Sequence, residues 1–309
     1  MSRITKYALS DLYEMSSGIS STKEQAGHGA PFVSFSTVFN NYFLPDELSD
    51  LMDTYEKEQE IYSIKAGDVL ITRTSETIDE LAMSCVAVKD YPKATYSGFT
   101  KRLRPKKEGI AYPKYMAFYF RSELFRKAVT NNAFMTLRAS FNEDIFTFLD
   151  VYLPDYEEQV RIGDMLYAVE CKIQKNREIN DYLEQQALLI FRYMFQNISY
   201  GLNHVGDYIT PKRGTPLLSK NAISGCVPVI AGGLVPATYH NMANTVAPVL
   251  TISGSGANAG YVNIWHDSVW SSDSSYIDSD MTENVYFWYA FLKSRQQDIF
   301  DIQTGSAQP

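Results

Sequence analysis

The most regular hydrophobic pattern of the chain lies between Leu153 and Phe195. Apolar side chains recur there at alternating steps of four and three residues, which is typical of a coiled-coil seam on one side of a helix. The seam positions are Ile162, Leu166, Val169, Ile173, Asn176, Asn180, Leu183, Ala187, Ile190 and Met194. Neither Pro nor Gly occurs between Gly163 and Gly201, so nothing interrupts the helix. A helix of this length spans on the order of 60 Å and is predicted to be a spacer.

Two features refine this prediction. Asp155 can cap the first backbone N–H groups, and Glu158 completes a pattern that resembles a capping box, so the helix should begin near Pro154. Asn176 and Asn180 lie at the middle of the seam, where a buried Asn lowers stability but fixes the register of pairing. Either the seam packs against its own domain, or it pairs with a second long helix from this or another chain. We favour pairing.

Residues 1–150 alternate between short strand and helix patterns. Strands are predicted at 31–38, 64–72, 85–88 and 94–105, and a helix at 113–128. After Gly201 the same order returns. Gly214 follows Asp207 by seven residues as Gly18 follows Asp11, residues 248–257 resemble 68–75, and residues 285–294 resemble 113–122.

The repeat defines the predicted architecture. The chain has 309 residues, which is enough for two domains. We predict an α+β protein with two repeated α/β modules joined by one long, coiled-coil-forming helix. The modules comprise residues 1–152 and 199–309, the second incomplete at its C-terminus, and the helix comprises residues 153–198.

Charge is distributed unevenly along the chain. The net charge is −8, with seven acidic residues between Asp46 and Glu60. Residues 91–107 hold six basic residues and no acid, which indicates a local basic surface. The three cysteines are widely spaced, and the sequence shows neither a signal peptide nor a run of membrane-spanning length. These patterns predict a cytoplasmic protein that does not enter membranes.

Signatures of catalysis are missing from the sequence. It has no P-loop and no Asn-Pro-Pro-aromatic motif, and its four histidines lack ligand spacing. The glycine-rich residues 254–260 lie between two predicted strands, whereas a dinucleotide loop precedes a helix. Asp155 and Glu170 imitate a nuclease motif, but they would lie roughly 22 Å apart on one helix. We therefore predict no catalytic residue, no metal and no cofactor.

Polar loops remain as candidates for function. Arg and Lys side chains contact phosphates and guanine, and Ser and Asn side chains contact other base edges. We predict DNA contacts where such residues follow strands at corresponding places of the two modules, although an exposed Lys or Arg is by default simply solvated. The candidates are Arg73, Ser75, Lys101, Arg102, Arg104 and Arg138 in the first module, and Lys212, Arg213, Ser253, Ser255 and Asn258 in the second.

The long helix also carries a family resemblance. The segments from Leu153 to Leu166 and from Asp181 to Phe191 resemble the central helix of specificity (S) subunits of Type I restriction-modification systems. This resemblance implies two target-recognition domains that each bind half of a split double-stranded DNA target. It further implies that methyltransferase (M) subunits bind the long helix, that a restriction (R) subunit joins for cleavage, and that the chain itself has no active site.

One departure from the family pattern leaves alternatives open. The family has a second long helix after the second recognition domain, and this sequence ends before it. Another chain could supply the helix, including a second copy of this one. The alternatives are a recognition fragment of a fused restriction-methyltransferase and a coiled-coil scaffold protein.

Overall fold

The longest element in the computed structural model is helix α7, Tyr156–Phe195, which begins next to Asp155 as predicted. The structure describes residues 4–75, 81–132, 139–198 and 201–302. The chain divides into two compact units, Met1–Lys175 and Asn176–Pro309, so α7 begins in the first unit and ends in the second. Both units combine sheets with helices, which confirms the predicted α+β class.

The first unit is built on a four-stranded and a three-stranded sheet. Its strands are β1 (Thr5–Ala8), β2 (Tyr13–Ser17), β3 (Ala26–Val33), β4 (Leu51–Met52), β5 (Val69–Thr72), β6 (Thr74–Ser75), β7 (Ser84–Val86), β8 (Thr95–Tyr96), β9 (Thr100–Pro105), β10 (Ala139–Ser140) and β11 (Asp150–Leu153). Its helices before α7 are α1 (Leu9–Leu12), α2 (Phe35–Asn40), α3 (Glu56–Ile61), α4 (Pro113–Tyr119), α5 (Glu123–Asn132) and α6 (Glu143–Phe148). The sheet orders are β2-β9-β5-β7 and β4-β3-β8, and two further strand pairs are β1-β11 and β6-β10.

The second unit repeats this topology. Its strands are β12 (Lys212–Arg213), β13 (Val227–Ile230), β14 (Thr238–His240), β15 (Val249–Ser253), β16 (Val262–Trp265), β17 (Trp270–Ser271) and β18 (Ser274–Asp278), followed by α8 (Val285–Ser294) and α9 (Gln296–Asp301). The sheet orders are β12-β18-β15-β16 and β14-β13-β17. In both units the three-stranded sheet has one antiparallel and one parallel pair. The predicted repeat is confirmed.

A central buried strand explains the apolar runs at 69–72 and 249–253. In β5, Val69 and Ile71 enter one hydrophobic cluster while Leu70 enters another. In β15, Leu250 and Val249 are divided in the same way. Because each strand is covered on both faces, its sequence shows continuous hydrophobicity instead of alternation.

Two boundaries differ from the prediction. The strand predicted at 31–38 ends at Val33, and Ser34 caps a helix because its hydroxyl accepts a hydrogen bond from the Thr37 N–H at 3.3 Å. The single helix predicted at 113–128 is divided into α4 and α5 at Ser122. The Ser122 hydroxyl donates to the Tyr119 carbonyl at 2.6 Å and accepts from the Phe125 N–H at 3.4 Å, so it stabilises the break.

Within the first unit, α7 packs through residues spaced four apart. Gln159 is buried, and its side chain accepts a hydrogen bond from the Tyr112 N–H and donates to the Ile110 and Pro154 carbonyls, all at 2.9 Å. Gly163 lies so close to α4 that an added Cβ would meet the Tyr115 nitrogen at 2.7 Å.

Within the second unit, α7 packs against α8. The Phe191 and Phe195 rings lie 5.7 and 5.9 Å from the Phe287 ring, and the Glu184 carboxylate accepts a hydrogen bond from the Tyr289 hydroxyl.

Most apolar positions of the predicted seam lie on a different side of α7 and are exposed. Val169 is 53% exposed, Leu183 58% and Met194 67%. At roughly 100° per residue, they lie about 60° or more around the helix from the packed side chains. The alternative in which the seam packs against its own domain is therefore wrong for these residues, whereas pairing stays a prediction. Among the described helices, none is both long and apolar enough to cross a membrane.

Candidate nucleic-acid interface

Equivalent ends of the two four-stranded sheets gather several predicted DNA contacts. In the first unit, the Arg73 N–H after β5 donates to the Phe99 carbonyl at 2.8 Å. In the second, the Gly254 N–H after β15 donates to the Asp273 carbonyl at 3.1 Å. We call these places the first and second sheet corners, comprising Ser17, Arg73, Phe99 and Lys101 in the first unit, and Arg213, Gly254, Ser255 and Asp273 in the second.

The first sheet corner presents one exposed cation beside an exposed aromatic ring. Arg73 is exposed, and Phe99 is 64% exposed. Lys101 is largely covered, and its ammonium donates to the Ser17 hydroxyl at 2.9 Å. Burial lowers the pKa of Lys101, while Glu143 partly raises it and Arg73 lowers it further. Arg73 is thus the better placed of these two cations for contact with a ligand in solvent.

Arg102 and Arg104 are grouped with polar loops as predicted DNA contacts, but they lie inside the strand predicted at 94–105. Both belong to β9, and their side chains bind elements of their own unit. The Arg102 guanidinium donates to the Ser63 carbonyl, and that of Arg104 donates to the buried Asp68 carboxylate at 2.8 and 2.6 Å. These bonds give both side chains a role in the fold. Their part in DNA contact stays a prediction.

The second sheet corner holds a cation that is already oriented. Arg213 Nη2 donates to Oδ1 of Asp273 at 2.7 Å, and the Ser255 hydroxyl donates to Oδ2 of the same carboxylate. Gly254 lies beneath this pair, since an added Cβ would lie 3.3 Å from both Arg213 Nη1 and Asp273 Oδ1. The Arg213 side chain nevertheless remains 64% exposed.

The other candidates are scattered around these corners. Lys212 is exposed in β12, and Ser75 is half-buried in β6. Ser253 is buried in β15, where its hydroxyl donates to the Gly232 carbonyl at 3.0 Å, so it too lies on a strand instead of a loop. Asn258 is half-buried at the end of a 3₁₀ turn, and Arg138 lies outside the described residues.

Sequence patterns did not identify Phe99, Asp273 or Ser17. A carboxylate repels phosphate and an isolated Phe between strands resembles a core residue, so neither residue type indicates a DNA contact by itself. The repeat contains a usable signal. Phe99 and Asp273 each lie two residues after equivalent serines, Ser97 and Ser271, so aligning the units pairs them.

The described ranges contain no group of three or more His, Cys, Asp or Glu residues that could hold a metal ion. Residues 254–260 connect β15 to β16 through the 3₁₀ turn Gly256–Asn258, which is the strand–loop–strand order expected from the sequence.

One family model matches more than half of the chain, and one solved structure resembles its fold. Residues 1–185 match the model of the Type I restriction modification DNA specificity domain. The fold resembles the Type-I restriction-modification system S subunit from M. genitalium, with a TM-score of 0.56 and 16% identity over 100% of this chain and 81% of that one.

Two further structures show weaker likeness. One comes from work on complex assembly and conformational transition of the type I R-M system, with a TM-score of 0.42 and 14% identity over 99% of this chain and 83% of that one. The other is the HsdS subunit from Thermoanaerobacter tengcongensis, with a TM-score of 0.39 and 15% identity over 98% and 82%. No curated protein matches the chain in sequence.

Proposed function

The chain belongs to the family of Type I restriction modification DNA specificity domains, and from this membership we propose that it directs a methyltransferase to a bipartite DNA target. The family confirms the resemblance seen in the long helix. It identifies a recognition subunit rather than an enzyme.

The repeated topology supports a bipartite target. Both units have the same two strand orders, and in each the polar corner lies at the same end of the four-stranded sheet. We propose that residues 1–152 and 199–309 are recognition domains, each binding one half of the target, and that residues 153–198 form the helix between them. Arg73 in the first corner and Lys212 and Arg213 in the second would supply the cationic contacts.

Exposed apolar side chains on α7 support partner binding through this helix. Val169, Leu183 and Met194 present an apolar stripe to solvent. Burial of apolar surface by a partner stabilises a complex by roughly 25 cal/mol per Å². We propose that methyltransferase subunits bind this region, and that a restriction subunit joins the complex they form.

Self-association through the seam is a further part of the proposal. The ten seam positions are symmetric about Glu178, so two antiparallel copies would place Asn176 opposite Asn180 and Ile173 opposite Leu183. Polar would then face polar and apolar would face apolar along the whole seam. This match supports a second copy of the chain as a partner helix.

Methylation mapping tests the proposed function. In cells with the intact gene, sequencing of modified bases should show one bipartite methylated motif, and deletion of the gene should remove it. A complemented strain carrying Arg73→Ala together with Arg213→Ala should recover little methylation, whereas Lys57→Ala, at an exposed position on α3, should recover all of it. An unchanged motif in the deletion strain would contradict the proposal.

A further inference from the structure

A carboxylate lies in the middle of the second sheet corner, where a DNA-binding surface would be expected to avoid one. Asp273 is half-buried, and both of its oxygens are occupied, one by Arg213 and the other by Ser255. In the first corner the equivalent residue is Phe99, and the described residues show no ion pair for Arg73. The acid is thus peculiar to the second unit.

Asp273 restricts the orientation of the planar Arg213 guanidinium by binding its Nη2 group. Arg213 lies in β12, where it pairs with Ser275 in β18, two residues after Asp273. The strand fixes the backbone of Arg213, and Asp273 fixes one end of its side chain. Gly254 leaves space beneath Nη1. One Nη2 bond to Asp273 leaves further N–H groups of the exposed guanidinium available to an outside acceptor.

We propose that Asp273 is a positioning residue that aims Arg213 at a guanine in the half-target bound by the second unit. Guanine presents two acceptors, O6 and N7, along its major-groove edge, and a guanidinium held in one plane matches them with two parallel donors. This inference rests on the proposed function and adds to it a base and the pair of residues that selects it.

The net charge of the Arg213–Asp273 pair explains why a carboxylate is compatible with a DNA-binding surface at the second sheet corner. An isolated carboxylate would repel the phosphates, but the Arg213–Asp273 pair is neutral overall, and the Ser255 hydroxyl stabilises the second oxygen. Asp273 therefore lowers the general electrostatic attraction to DNA, but it fixes the orientation of the Arg213 guanidinium. If its role is orientation, its removal should lower selectivity without lowering attraction to DNA in general.

Selection from a random duplex library with the full chain separates these effects. The wild type should enrich a motif with a strong guanine preference at one position. Arg213→Ala should reduce that preference by about tenfold or more. Asp273→Ala should reduce it several-fold while affinity for random duplex stays equal or rises, because a negative charge is removed. Asp273→Asn, which keeps an acceptor for Arg213, should restore part of the preference.

Lys212→Ala provides the matched comparison at the neighbouring exposed cation. It should weaken binding to all duplexes alike and leave the guanine preference intact. The proposal is overturned if Asp273→Ala retains the full preference, or lowers specific and random binding by the same factor, as a damaged fold would. A wild-type chain that enriches no motif would overturn the proposed function as well. Enrichment of a motif unaffected by Arg213→Ala would overturn only the assignment of the guanine contact.

Discussion

Gly18 and Gly214 occupy the same place in the two units. An added Cβ at Gly18 would lie 2.2 Å from the carbonyl oxygen of Ser97, and one at Gly214 would lie 2.5 Å from that of Ser271. The Gly18 N–H donates to the Thr100 carbonyl at 3.4 Å, and the Gly214 N–H to the Ser274 carbonyl at 2.8 Å. Gly18 follows β2 and packs against the turn before β9, and Gly214 follows β12 and packs against the turn before β18. The missing side chain makes both close approaches possible.

Replacing either glycine should destabilise its own unit. In Gly18→Ala and Gly214→Ala the methyl group meets backbone, which cannot move aside as a flexible side chain can. We expect each change to lower the free energy of unfolding by about 1–3 kcal/mol, measured by urea denaturation. The control is Gly206→Ala, where nothing lies within 4 Å of the added Cβ and stability should hardly change. Equal stability of Gly18→Ala and the wild type would contradict the close approach.

The repeat and the long helix could be predicted because each depends on local or repeated pattern. The seam of α7 has a period that needs no tertiary information, and Gly18 and Gly214 mark the same step in each unit. Helix α2 was missed because a short alternating segment fits both a strand and a capped helical turn. There the Ser34 cap decided the outcome.

The site was less predictable because its side chains are paired over long distances in sequence. In the sequence, Arg104 is one of several basic residues in a run. In the fold, it binds Asp68, which lies 36 positions earlier. Arg213 likewise meets Asp273 across 60 positions. No pattern of charges along the chain contains these pairs, whereas the sheet registers that create them do.

The Arg104–Asp68 pair yields a prediction about stability. Asp68 is fully buried, and removal of its cation in Arg104→Ala leaves an uncompensated charge, so stability should fall by about 3–5 kcal/mol in urea denaturation. The double variant Arg104→Ala with Asp68→Asn should recover part of this loss because no buried charge remains. The neighbouring exposed Lys106→Ala should change stability by less than about 1 kcal/mol. A double variant no more stable than Arg104→Ala alone would indicate that the lost contacts, rather than the charge, dominate.

Salt dependence tests the cations that face solvent. If Arg73 and Lys212 neutralise DNA phosphates, each change to Ala should reduce the slope of log affinity against log salt concentration by about 1. The slope can be measured by fluorescence anisotropy on one duplex between low and moderate salt. Lys57→Ala, at another exposed cation on α3, is the control and should leave the slope unchanged. A slope that falls equally in all three variants would mean that net charge alone determines the binding.

Asn176 and Asn180 should decide how two copies of α7 pair. Antiparallel pairing about Glu178 places Asn176 of one copy opposite Asn180 of the other, where the two amides can satisfy each other. A register shifted by one heptad sets these amides against Ile173 and Val169, or against Ala187 and Leu183, and leaves them without partners, which is costly inside a seam. The two Asn residues thereby exclude shifted registers while weakening the correct one.

Replacing both Asn residues with Leu should therefore strengthen association and loosen its register. We expect the dissociation constant of the copy–copy complex to fall by about tenfold or more, which corresponds to about 1.4 kcal/mol, when measured by light scattering across a dilution series. Register can be followed with cysteines placed at Ile173 and Leu183, which face each other across the symmetric pair, and at Leu166 and Leu183, which face each other only after a shift of one heptad. The wild type should cross-link only the first combination, and the double Leu variant both. The prediction requires that two wild-type copies pair. A wild-type chain that stays monomeric at micromolar concentration would exclude self-pairing. The methyltransferase would then remain as the partner that covers the exposed stripe of α7.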